Sequence, residues 1–95
     1  MLYVKLDDYE VNNGTVIFHA TPNNTLNVLR QNYIYPYRIE YNIKKLIWDI
    51  YITKQNKYVY DLPEEIIFEM FNRSDFFKMI DVIDKITFLS MKYKK

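Results

Sequence analysis

The chain contains no cysteine. That excludes disulfides, thiolate zinc sites and cysteine nucleophiles, and it fits a reducing compartment. Glycine occurs once, as Gly14, and a single glycine cannot build a phosphate-cradling loop. Histidine also occurs once, as His19, in a stretch with strand periodicity where a structural or exposed role is the ordinary one. With Ser74 and Ser90 as the only serines and no glycines to shape a nucleophile elbow, no Ser-His-acid triad can be assembled. Neither sign of charge prevails: 13 basic and 12 acidic residues leave a net charge of +1, so there is no electrostatic footprint for nucleic acid. No apolar run approaches the roughly 20 residues of a membrane span. The first residues lack the basic and apolar regions of a secretory signal, so none is expected.

What is present is apolar and aromatic. Hydrophobic residues make up 49% of the 95, with ten Tyr and six Phe. A chain of this size can bury roughly 60–70% of its unfolded surface, enough to fold without staples. Tyr suits half-wet surfaces, so its abundance favours a binding protein over an enzyme. The remaining acids have bland readings. Asp7-Asp8 reads as a strand end, Glu64-Glu65 as a helix start, and Asp81 and Asp84 as a solvated ion-pair face with Lys78 and Lys85. The basic tail of Lys92, Lys94 and Lys95 reads as a solvated terminus.

Leu2, Val4 and Leu6 alternate with polar neighbours, Asn12-Asn13-Gly14 signals a turn, and Val16, Phe18 and Ala20 alternate again, so the chain is expected to open as a hairpin. Thr21 and Pro22 read as the start of a short helix carrying Leu26 and Leu29 to about Gln31. Residues 33–41 read as a strand that Pro36 confines to an edge or cuts short. From Asn42 to about Lys54, the spacing of Ile43, Leu46, Ile47, Ile50 and Tyr51 predicts an amphipathic helix. Tyr58 to Leu62 reads as a short extended piece. Pro63, Glu64 and Glu65 then open a helix bearing Ile66, Ile67, Met70 and Phe71. A polar bend at Asn72-Arg73-Ser74-Asp75 precedes a last helix with Phe76, Met79, Ile80, Ile83, Ile86 and Leu89 at spacings of three and four. Strands first and helices after, with short connections, give a single α+β domain over residues 1–95.

The helices carry more apolar residues than one stripe needs: Phe68, Trp48 and Ile52 fall outside the expected lines. A contiguous apolar surplus of that kind marks a protein interface. The order of "LYVKL", "NTLNVLRQ", "YNIKKLIWDIYI", "NKYVYDLPEE" and "IIFEMFNRSDFFKM" resembles elongin C and the Skp-type adaptors of the BTB/POZ fold over almost the whole chain. The resemblance implies a small three-stranded sheet packed with four to five helices. It also implies an adaptor in a ubiquitin ligase, joining the N-terminal domain of a cullin to a BC-box or F-box helix of a receptor. By position, the receptor-helix groove would fall on Tyr60, Phe68, Met70, Ser74 and Met79, and the cullin-facing surface on Asn72, Asp75 and Phe76.

The sequence departs from that pattern in three places. Arg73-Ser74 replaces two small residues, the chain runs on from Ile80 to Met91, and no helix precedes Leu2. "LPEEIIFEMFNRSDFF" also looks like the opening of an F-box, which would make the chain the adaptor's partner. The expected protein is cytoplasmic or nuclear, needs no cofactor or metal, and is not an enzyme. It touches neither nucleic acid nor membrane. Its richness in Ile, Asn, Lys and Tyr suggests an AT-rich genome; if that genome is a virus's or a parasite's, the protein would mimic a host adaptor. The alternative is a self-associating homo-oligomer without a cullin.

Overall fold

A computed structural model describes residues 4–22 and 36–92. They form five strands, a short 3-10 turn and two α-helices: β1 (Val4–Asn12), β2 (Thr15–Pro22), β3 (Tyr37–Asn42), β4 (Ile47–Ile52), β5 (Lys57–Leu62), α1 (Glu64–Met70) and α2 (Arg73–Lys92). All neighbouring strands run antiparallel, in the order β1-β2-β3-β4-β5. The expected architecture does not hold. The sheet has five strands rather than three, and the described residues hold two α-helices rather than four or five, so the arrangement is not the BTB/POZ fold that the resemblance implied.

The opening hairpin forms where the alternation places it. Asn13 (φ 51) and Gly14 (φ 81) are both left-handed and join Asn12 to its partner Thr15 in a two-residue turn, the geometry that Asn-Gly tolerates best. Thr21 and Pro22 end β2 instead of starting a helix. Thr21 is fully buried and donates its hydroxyl to Asp7 Oδ2 at 2.8 Å. The rest of that expected helix, with Leu26 and Leu29, and the strand residues before Pro36 lie outside the described residues. Strand β3 begins directly after Pro36, as a proline that cannot donate to the ladder requires, but it sits in the middle of the sheet.

The amphipathic helix expected over Asn42 to Lys54 is a turn followed by β4. Trp48, Ile50 and Ile52 point to the core while Asp49 and Tyr51 point away, a period of two that the abundance of Ile had hidden inside an i, i+3, i+4 pattern. Asn42 starts the turn. Its carbonyl accepts the Leu46 amide at 2.8 Å and its Oδ1 accepts the Lys45 amide at 2.8 Å, the local side-chain bonding that competes with helix. The Ile43 amide is held by the Gly14 carbonyl at 3.0 Å, locking this turn to the first one.

One face of the sheet carries the core. Val16, Phe18, Ala20, Ile39, Trp48 and Ile50 meet Ile67, Met70, Phe71, Phe76, Met79 and Ile83 of the helices and their junction. Full burial of a side chain such as Ile67 or Met79 contributes roughly 1.5–3 kcal/mol. Trp48 Nε1 donates to Glu64 Oε1 at 3.3 Å, so the acid that opens α1 also ties it to β4.

Candidate functional site

The helix face of the sheet and its far face offer different chemistry. On the far face, the Arg38 guanidinium lies 4.4 Å from the centroid of the Tyr51 ring, and the Tyr58 hydroxyl donates to Glu40 Oε2 at 3.1 Å. Tyr60 stacks on Tyr58, with ring centroids 5.1 Å apart. Burial and the neighbouring Glu40 carboxylate raise the Tyr58 pKa above its ordinary value, and Arg38 opposes the shift. These groups contact one another, with Arg38 Nε 3.6 Å from Glu40 Oε2 but without a hydrogen-bond partner among the described residues. No group of three or more His, Cys, Asp or Glu side chains that could hold a metal ion gathers among the described residues.

The residues assigned by resemblance to one groove do not form one. Met79 is fully buried and Met70 nearly so. Tyr60 projects from β5 and is 67% exposed. Phe68 is partly exposed on α1, edge-on to Phe76 at 5.0 Å, and Ser74 is exposed in the first turn of α2. Only Met70 lines an open cleft, of about 260 Å³, with Ile52, Val59, Leu62 and Ile66 among its neighbours. The residues assigned to face a cullin each have structural contacts, and Asn72 is also exposed. Asn72 Oδ1 accepts the Asp75 amide at 2.7 Å as the N-cap of α2, Asp75 Oδ2 accepts the Leu6 amide at 3.0 Å, and Phe76 is buried in the core.

A larger cleft, of about 840 Å³, opens between the end of α2 and the two neighbouring turns. Val11, Ile43, Ile86, Leu89 and Met91 give it apolar walls, and Lys44 and Lys45 are its only charged lining residues among the described residues. Leu46, 70% exposed, follows the lining residue Lys45 and closes the β3–β4 turn. The last turns of α2 add Phe88 (64%) and Met91 (71%) to this end of the molecule. Leu46 is also left-handed, with φ of 60, a conformation costing roughly 1–2 kcal/mol in a residue with a Cβ. A strained, exposed leucine beside an apolar cleft is an outlier from which a functional hypothesis can properly start.

Sequence reasoning missed this cleft because it laid Leu46 on the buried face of a helix. The available signal was the alternation of Trp48, Ile50 and Ile52 with Asp49 and Tyr51. Read as a strand, it leaves Asn42 to Leu46 as a connecting turn. No family model matches the chain, and neither does any curated protein or solved structure.

Proposed function

We propose that the chain is a protein-recognition module that takes an apolar, acid-flanked segment of a partner protein into the cleft between the end of α2 and the β1–β2 and β3–β4 turns. The observation that carries this reading is the gathering of Val11, Leu89 and Met91 as exposed apolar residues lining one cleft of a molecule whose core is closed without them. Contiguous exposed apolar surface marks interaction sites. The charge of the cleft selects the partner's flank, since Lys44 and Lys45 line it and, among the described residues, no carboxylate does. An amphipathic helix with acidic residues beside its apolar face meets both demands.

This reading keeps the class of function that the apolar surplus implied and moves the site. The bridging of a cullin to a receptor belongs to a three-stranded, four-to-five-helix fold, which the described residues do not form. The test is affinity capture with the intact chain and with a Leu46→Asn, Leu89→Glu variant, each checked by circular dichroism. A partner retained by the parent chain and lost by the folded variant supports the site. Equal retention by both removes the cleft from consideration.

A further inference from the structure

We infer that β5 is a self-complementary edge through which two copies of the chain join their sheets about a two-fold axis at Val59. Among the described residues, the order of the sheet leaves β1 and β5 as its two edge strands. Exposed edges are templates for strand addition unless they are blunted. Strand β1 is blunted: Asp75 takes the Leu6 amide, Asp8 takes the Tyr9 amide, and the register slips between Leu6 and Asp8. Along β5, a side chain takes only the amide of Asp61 among the described residues.

The sequence of β5 supplies the partner. Lys57-Tyr58-Val59-Tyr60-Asp61, laid antiparallel against itself about Val59, sets Lys57 opposite Asp61 of the second copy and Tyr58 opposite Tyr60. Val59 then faces itself. Opposite charges and paired aromatics directly across a ladder are the favourable cross-strand combinations, and a two-fold axis supplies each of them twice. The stacked pair of Tyr58 and Tyr60 would continue into a second such pair. On the helix side, Val59 of the second copy would sit at the mouth of the 260 Å³ apolar cleft that Val59, Leu62 and Ile66 line. Asp61 is left-handed (φ 57) at the irregularity between the Val59–Ile50 and Leu62–Trp48 pairs of β5 with β4. The new ladder is therefore confined to these five residues, and the association depends on concentration.

Light scattering and sedimentation across a concentration series should show a mass rising toward twice the 11.7 kDa of one chain. The chain has no cysteine, so Val59→Cys introduces a unique thiol on the proposed axis. Antiparallel partners lie within the Cα separation that a disulfide spans, and mild oxidation should yield a covalent dimer. Tyr58→Cys, displaced from its own copy by the register, should not. Lys57→Glu places two carboxylates opposite each other and should raise the dissociation constant about tenfold. Adding Asp61→Asn, which suits the left-handed backbone, should recover most of that loss. A monomeric mass up to millimolar concentration overturns the inference, as does equal cross-linking of the folded Val59→Cys and Tyr58→Cys chains.

Discussion

Asp75 accepts the backbone amide of Leu6 at 3.0 Å across a sequence separation of 69, tying the first turn of α2 to edge strand β1. The same side chain lies 3.4 Å from Asn72 Nδ2, while Asn72 Oδ1 accepts the Asp75 amide at 2.7 Å. This is a reciprocal helix cap that also holds a strand. Hydrogen bonds to charged acceptors contribute roughly 1.5–3 kcal/mol, while the Asn72 cap on the residue 75 backbone amide survives truncation of the Asp75 side chain. Asp75→Ala is therefore expected to lower unfolding free energy by about 2 kcal/mol, measured by urea denaturation. An Asp75→Ala chain as stable as the parent would show that the tie contributes nothing.

The burial of Met70 and Met79 separates two substitutions that a shared groove would have treated alike. Met70→Asp places a carboxylate among the core residues and is expected to unfold the chain at room temperature, because an unpaired buried charge costs several kcal/mol against a net stability of about 5–15 kcal/mol. Phe68 is 40% exposed and touches the core mainly through its edge-on contact with Phe76. Phe68→Asp should cost about 1 kcal/mol for the lost aromatic pair and leave the circular dichroism spectrum native. Native spectra for both variants would contradict the observed packing.

The parts of the fold that were legible in the sequence are those where one physical signal stood alone. Asn13-Gly14 could only be a turn, and Pro63-Glu64-Glu65 could only open a helix, which it does at Glu64. The long helix at the end also followed from its spacing, and it extends from Arg73 to Lys92. Ile47 to Ile52 was misread because four apolar residues in six satisfy both periods. The deciding fact is tertiary: Trp48 and Ile50 pair across the sheet with Leu62 and Val59. The cleft beside Leu46 was illegible for the same reason, since it exists only once two turns distant in sequence lie together. The Gly14–Ile43 hydrogen bond joins them.

Two tyrosines make stability fall on the alkaline side. Burial first, and then the charges of Glu64 and Asp84, raise Tyr41 above its ordinary value of 10.0, while burial and Glu40 raise Tyr58. A phenol whose pKa is higher in the folded chain binds its proton more tightly there. Its contribution is therefore fully present below the unfolded value and is lost as pH rises past about 10 through the folded one. Melting temperature should be flat with respect to these groups near neutrality and drop above that point. Tyr41→Phe with Tyr58→Phe should flatten the drop while lowering neutral stability by about 1 kcal/mol for the lost Tyr58 hydroxyl bond to Glu40. An unchanged alkaline limb in the double variant would place its cause elsewhere.

Leu46 should show stability and recognition pulling in opposite directions. Its side chain is 70% exposed, so removing it forfeits little burial. Its backbone is left-handed at φ 60, which glycine adopts freely and asparagine tolerates. Leu46→Gly and Leu46→Asn are therefore each expected to stabilise the chain, by about 1 kcal/mol for the relieved strain, with glycine gaining less because its unfolded state is more disordered. Both should weaken capture of a partner by the neighbouring cleft. Urea denaturation and partner capture on the same preparations separate the two effects. A chain that is stabilised and still captures its partner would show that the strain serves no recognition. A chain that is destabilised would show that Leu46 contributes packing beyond what its exposure allows.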